Sequence, residues 1–247
     1  NTAVKKYGLI GFPLGHSFSR NYFQNKFLQE SITGCSYSNF EIPGIELLAE
    51  VLKDPELAGL NVTIPYKRAV IPFLDTMDPV VQQTGACNCI RIQNGQLHGY
   101  NTDVSGFEKS LMQKWLPQHR KALILGTGGS STAAAYVLNK LGIGFLFVSR
   151  RSTGLADHLL YTDLDEKIIR DHSLIINCTP LGMYPEINTC PPIPYSLLTP
   201  QHYLFDLIYN PPLTLFLQKG KLQGARVKNG ADMLRIQAEA SWEIWNP

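Results

Sequence analysis

The sequence is short of charge and has almost no bias in its sign. Asp, Glu, Lys and Arg make up 17% of the 247 residues and leave a formal net charge of +2, against roughly 25% charged residues in an average soluble protein. No dense Lys/Arg stripe occurs, which argues against a nucleic-acid platform. No apolar run approaches the roughly 20 residues needed to cross a membrane, and the N-terminal stretch shows no signal-peptide pattern. The expectation is a cytoplasmic protein with no membrane partner. Cysteine is sparse and odd in number, and Cys35, Cys87, Cys89, Cys178 and Cys190 lie mostly inside apolar segments. That pattern reads as reduced thiols. Cys87 and Cys89 share one face of a strand, but no second Cys or His pair stands at ligand spacing, so no metal site is expected. Internal repeats and low-complexity tracts are also missing.

What is present is an α/β pattern with 44% hydrophobic residues. "YGLIG" (7–11) reads as a strand and leads through a loop into the helical pattern "NYFQNKFLQ". "YSNFEI", "GLNVTI" and the hairpin "CIRIQNGQLHGY" read as strands, the last with Asn94-Gly95 at its turn. "GIELLAEVLK" and "YKRAVIPFL" read as helices between them. A helix is expected from Val104 to Trp115, and "LPQHRK" as a linker. The pattern then restarts with "ALIL", an alanine-rich helix, and the strands "FLFVS", "SLIINC" and "HYLFDLIY". The tail "GADMLRIQAEASWEIW" is amphipathic at helical spacing. Strands separated by helices imply parallel crossovers.

"ALILGTGGSSTAAA" places glycines between a buried strand and a helix. Glycine lets backbone approach a pyrophosphate closely, and a helix N-terminus offers free N–H groups and a positive dipole end. Gly126, Thr127, Gly128, Gly129, Ser130 and Ser131 are therefore candidates to hold a dinucleotide. The next strand ends at Ser149-Arg150-Arg151, with no acidic residue at its tip. An NAD site places Asp or Glu there, whereas arginine suits the 2′-phosphate of NADP. NADP is the expected cofactor, with Arg150 as its first phosphate ligand.

Four further stretches are rich in donors and acceptors: "GFPLGHSFS" (11–19), "NVTIPYK" (61–67), "GACNC" (85–89) and "GYNTDVSGF" (99–107). Each is read as following a strand signal, so all can meet at one sheet edge, where α/β proteins bind ligands. Ser17, Ser19, Thr63, Lys67, Asn88, Thr102 and Asp103 suit a small polyhydroxylated acid. Plainer roles exist as well: Asp103 can cap the following helix, and Ser19 the one before Tyr22. Lys67 alone reads as a solvated lysine.

Taken together these motifs closely resemble the shikimate dehydrogenase family over nearly the whole chain. "NVTIPYK" is similar to its Asn-Val-Thr-x-Pro-x-Lys, "GACN" to its Gly-Ala-x-Asn, and "NTDVSGF" to its Asn-Thr-Asp-x-x-Gly-Phe. "NCTPLGM" (177–183), "DLIYNPPLT" (206–214) and "NGADMLRIQAEASWEIW" (229–245) resemble its later signatures. Arg20 stands where the family usually has proline, and Ser149-Arg150-Arg151 where it has Asn-Arg-Thr. The resemblance implies two α/β domains. One is a substrate-binding catalytic domain of residues 1–103, completed by the C-terminal helix 231–247. The other is a Rossmann-type NADP-binding domain of residues 104–230. It implies Lys67 and Asp103 as the catalytic pair, and Ser17, Ser19 and Tyr209 on the substrate carboxylate. Thr63, Asn88, Asp103 and Gln237 would bind ring hydroxyls, and Leu207 and Gly230 would lie near the nicotinamide. The activity implied is the NADPH-dependent reduction of 3-dehydroshikimate to shikimate on the route to aromatic amino acids, by a monomer or homodimer. The alternatives are a quinate/shikimate dehydrogenase using either cofactor, and a non-catalytic dinucleotide-binding regulator. In this reading Lys67 is reactive, because the alkoxide formed by hydride transfer needs an acid beside it.

Overall fold

The computed structural model describes residues 4–15 and 18–247. It contains two compact units, the first formed by Asn1–Ser105 with Gln237–Pro247 and the second by Gly106–Ile236.

In chain order unit 1 contains β1 (Lys5–Gly11), α1 (Phe18–Gln29), β2 (Cys35–Glu41), α2 (Leu48–Val51), β3 (Leu57–Val62), β4 (Thr76–Met77), α3 (Pro79–Thr84), β5 (Cys89–Gln93), β6 (Gln96–Tyr100) and the start of α4 (Asp103–Met112). Its sheet runs β2-β1-β3-β5-β6-β4. β1 lies parallel to both β2 and β3, and its apolar run is buried on both faces. β5 and β6 form the expected antiparallel hairpin, with β5 antiparallel to β3. Asn94 and Gly95 take φ of 53° and 74° at its turn, the left-handed geometry such a turn requires.

Side chains alternate across the sheet, so each face has its own core. One gathers Ile10, Leu48, Leu60, Val62 and Ile90. The other is aromatic: Tyr7 stacks on Trp245 with ring centroids 4.8 Å apart, and Phe23 on Tyr37 at 4.7 Å. Burying a ring such as Phe23 stabilises the fold by about 1.5–3 kcal/mol.

Two expected helices are reduced to short pieces. After Tyr66 the chain makes one α-type turn, with Val70 N–H bonded to the Tyr66 carbonyl, and then a 3₁₀ turn over Ile71–Phe73. Pro72 has no N–H to extend a helix there. "GIELLAEVLK" begins as a 3₁₀ turn over Ile45–Leu47 and is α-helical only in α2.

Unit 2 contains the rest of α4, then β7 (Lys121–Leu125), α5 (Gly129–Lys140), β8 (Gly144–Ser149), β9 (His158–Leu160), α6 (Glu166–Asp171), β10 (Leu174–Asn177), β11 (Tyr203–Asp206), α7 (Leu215–Leu222), β12 (Arg226–Lys228) and the first residues of α8 (Ala231–Trp245). All six strands are parallel in the order β12-β11-β10-β7-β8-β9. The chain winds outward from β7 to β9 and then restarts on the other side at β10. That places a topological switch point between β7 and β10, where doubly wound sheets bind ligands. β9, β12, α6 and α7 were not legible as separate elements in the sequence. α6 and α7 are short and capped by side chains, Asp165 accepting from the Ile168 N–H and Thr214 from the Leu217 N–H.

Candidate active site

Strand direction brings the four polar segments of unit 1 to one end of its sheet. β1 and β3 are parallel while β5 is antiparallel to β3, so "GFPLG" and "NVTIPYK" leave the sheet where "GACNC" enters it. β6 ends there too, since Tyr100 pairs with Cys89.

At this end the Lys67 Nζ lies 2.6 Å from the Asp103 carboxylate, with 28% and 18% of the two side chains exposed. The pair is reachable by a ligand yet partly shielded from solvent. The Lys67 carbonyl accepts from the Cys87 N–H at 2.8 Å, which ties two of the segments together. Asp103 is the first residue of α4, where the helix dipole favours an anion. It does not cap the helix. Asn101 Oδ1 accepts from the Val104 N–H at 3.2 Å, and Asn101 Nδ2 donates to the Ala86 carbonyl at 3.1 Å. With the cap supplied by Asn101, the Asp103 carboxylate is left for Lys67.

Behind the pair runs a buried network of neutral groups. Asn88 Nδ2 donates to Thr102 Oγ1 at 2.9 Å, and the Thr102 N–H donates to Asn88 Oδ1 at 2.7 Å. Asn61 Nδ2 donates to Ser241 Oγ at 2.9 Å and to the Asn88 carbonyl at 3.3 Å. Tyr37 donates its hydroxyl to Asn61 Oδ1 at 2.8 Å, and the Ser19 side chain is hydrogen-bonded to Tyr37. Ser241 Oγ donates to the Gln237 carbonyl at 3.0 Å. A satisfied buried network of this kind rigidifies what it joins. Here it joins the segments carrying Ser19, Asn88, Asp103 and Gln237. Thr63 sits half-buried just past β3, and Ser17 lies outside the described residues. The sequence reading missed Tyr37 and Ser241, and treated Asn61 only as part of a motif.

In unit 2 the glycine loop leaves β7 for α5. Gly126 has φ of 98°, and a Cβ there would sit 3.0 Å from Thr179 Cγ2; only glycine takes that conformation readily. A Cβ on Gly128 or Gly129 would meet nothing within 4 Å. The fold itself therefore does not need glycine at those two positions. Their bare backbone opens the helix N-terminus to an anion, as a pyrophosphate requires. Thr127 and Ser130 are exposed beside them. Ser131 is turned inward, with its N–H and its hydroxyl both directed at the Gly128 carbonyl, at 3.0 and 2.6 Å. It shapes the loop and presents no donor outward. At the end of β8, Ser149 Oγ donates to the Arg151 carbonyl at 2.7 Å, while Arg150 and Arg151 are exposed. These residues fit a dinucleotide carrying an extra phosphate.

Leu207 and Gly230 are brought together. The Gly230 N–H donates to the Ile208 carbonyl at 3.1 Å, and a Cβ on Gly230 would lie 2.0 Å from the Leu207 carbonyl oxygen. Tyr209 follows in the same turn, 38% exposed. The turn starts from Asp206, which is fully buried and whose carboxyl burial pushes up to about 6, although hydrogen bonds from Thr214, Ile208 and Asn177 act against the rise. The sequence reading passed over Asp206 as part of a strand.

Among the described residues no group of three or more His, Cys, Asp or Glu side chains is placed to hold a metal ion. All five cysteines are free, and burial pushes the Cys87 thiol up to about 11, which leaves it unreactive at neutral pH. Among the described residues no helix is long and apolar enough to cross a membrane.

Residues 9–90 match the family model of the shikimate dehydrogenase substrate binding domain. A shikimate dehydrogenase (NADP(+)) of Desulforamulus reducens is 35% identical, covering 99% of this chain and 91% of its own. A shikimate 5-dehydrogenase from Thermus thermophilus, solved in complex with NADP(H) and shikimate, superposes with a TM-score of 0.86 at 28% identity, covering 98% of this chain and 94% of that one. A quinate dehydrogenase from Corynebacterium glutamicum in complex with NAD superposes with a TM-score of 0.87 at 26% identity, covering 98% and 94%.

Proposed function

The chain belongs to the shikimate dehydrogenase family, and from that premise we propose that it catalyses the reversible, NADP-dependent reduction of 3-dehydroshikimate to shikimate. The observation that carries the mechanism is the 2.6 Å contact between Lys67 and Asp103 at the sheet end that also holds Thr63 and Asn88. NADPH, when bound, supplies the hydride to the carbonyl carbon. As the C=O π pair moves onto oxygen, Lys67 gives that oxygen a proton from Nζ, and Asp103 holds the ammonium in place. In the reverse direction the neutral amine takes the alcohol proton.

Thr63, Asn88, Asp103 and Gln237 bind the ring hydroxyls in this proposal, and Ser17, Ser19 and Tyr209 the carboxylate. Apart from Tyr209, unit 2 serves the cofactor. Gly126 to Ser130 hold the pyrophosphate with Ser131 bracing the loop, Arg150 and Arg151 take the 2′-phosphate, and Leu207 and Gly230 lie at the nicotinamide. A cytoplasmic location fits the free thiols, with the protein acting as a monomer or homodimer.

The test is a spectrophotometric assay of the purified protein with NADP or NAD against shikimate or quinate. Turnover of shikimate with NADP above every other pair supports the proposal. Faster turnover of quinate with NAD favours the dual-cofactor rival, to which the quinate dehydrogenase likeness lends weight. No turnover with any pair leaves a non-catalytic dinucleotide-binding protein.

A further inference from the structure

Asp206 ends β11 fully buried, and among the described residues no cation pairs with it. Its oxygens accept from Thr214 Oγ1 at 2.6 Å, Asn177 Nδ2 at 3.1 Å and the Ile208 N–H at 3.0 Å. Buried carboxylates without a cation are uncommon, because neutral donors lessen the desolvation penalty without cancelling the charge. An asparagine would serve the same three neighbours without that penalty: its oxygen would accept from Ile208 and Asn177, and its amide would donate to Thr214. The charge therefore calls for a reason beyond shape.

The position of Asp206 supplies one. It fixes Ile208, whose carbonyl holds Gly230, and Gly230 lies against the Leu207 carbonyl. Resting on the cofactor site proposed above, we propose that Asp206 is a positioning residue that also acts by its charge, favouring the oxidised, cationic nicotinamide over the reduced, neutral one. Coulombic attraction through a protein interior falls slowly with distance and is weakly screened. The carboxylate thus draws the bound equilibrium toward oxidised cofactor and reduced substrate, the direction that forms shikimate.

The experiment compares the Kd of NADP with that of NADPH, without substrate, for the wild type and Asp206→Asn. Calorimetry reads the first and nucleotide fluorescence the second. The variant should raise the ratio Kd(NADP)/Kd(NADPH) by about fivefold. If both constants move by the same factor, Asp206 is only structural and the proposal fails. Failure of the wild type to bind either nucleotide would instead undo the cofactor reading beneath it.

Should Asp206→Asn not fold, the same ratio is measured on the wild type at about pH 5 and about pH 8, on either side of the Asp206 titration. Cys178, after β10, and Tyr195, in the 3₁₀ turn Tyr195–Leu197, are ionisable side chains that sense this carboxylate. Burial pushes both well up, so both stay neutral over this range. The 2′-phosphate titrates as well but is common to both nucleotides. A higher ratio at the lower pH supports the proposal, and an unchanged one overturns it.

Discussion

Unit 1 and unit 2 are both six-stranded α/β layers, yet they hold their candidate ligand groups by opposite means. Unit 1 does so with side chains. Tyr37, Asn61, Ser241, Thr102 and Asn88 form one buried network of neutral groups behind the Lys67–Asp103 pair. Unit 2 relies on backbone: bare glycines at the head of α5, the Gly230 N–H on the Ile208 carbonyl, and a single buried charge at Asp206. A polyhydroxylated ring needs many donors and acceptors at set distances, which a rigid side-chain network supplies. A dinucleotide needs close approach along its phosphates, which only exposed backbone allows. Substitutions in unit 1 should therefore act on substrate parameters, and those in unit 2, Tyr209 apart, on cofactor parameters.

The sharpest test of that division is Lys67→Ala. It should lower kcat by about 10²–10⁴-fold, the range associated with a positioned acid–base group. NADP affinity and the melting temperature should hardly change, since Lys67 lies outside the cofactor unit and is partly exposed. A variant turning over at near wild-type kcat would remove Lys67 from the mechanism.

Next in size is Arg150→Ala, acting on unit 2 alone. Loss of a guanidinium fork onto phosphate should raise the KM for NADP by about tenfold or more, and that for NAD by less than about twofold. Steady-state kinetics with both nucleotides decides it. Equal losses would make Arg150 structural and pass the role to Arg151.

The same division governs what could be read from the sequence. The glycine loop was legible because strand, loop and helix are consecutive, and the arginines because they end the next strand. Lys67 and Asp103 were legible through their motifs, and strand direction then accounts for their meeting. The network behind them was not. Asn61 and Ser241 are 180 residues apart, and Tyr37 sits in a strand whose pattern shows only an aromatic. Nothing local marks such partners, because only the packing of α8 on the sheet brings them together. Local periodicity also overstated the helix after Tyr66, where Pro72 intervenes. Asp206 was hidden for the opposite reason: it lies inside the stretch "HYLFDLIY", which reads as one buried strand, so the acidic residue passes as part of that strand.

A smaller effect is expected from Asn61→Leu, which strikes the unit 1 network away from the ligand groups. The Tyr37 hydroxyl loses its acceptor and Ser241 a donor, each worth about 1–3 kcal/mol if left unmet. The melting temperature should fall by about 2–4 °C per kcal/mol. As Asn88 and Thr102 loosen, the KM for shikimate should rise severalfold with that for NADP unchanged. An equal rise in both would mean that the network does not belong to unit 1 alone.

The smallest effect is a pH dependence peculiar to unit 2. The Asp206 carboxyl is raised to about 6 by burial, above an unfolded value of about 3.9. Its neutral form is therefore favoured by the folded state. That contribution is fully present below the unfolded value and is lost as pH rises from about 4 through 6, with a slope of at most about 1.4 kcal/mol per pH unit. His119 and His172 run the other way. Burial lowers both below the ordinary histidine value, so the stability they contribute is present above that value and lost as pH falls. In the wild type the two trends oppose each other and partly cancel. Asp206→Asn removes one and leaves the other. The melting temperature of the variant minus that of the wild type, followed from about pH 7 down to about pH 4, should therefore fall by about 2–4 °C per unit across the titration. The histidines drop out of that difference. A flat difference would mean that the buried carboxylate does not titrate between these limits. The contrast between a neutral network in unit 1 and a lone charge in unit 2 would then rest on geometry alone.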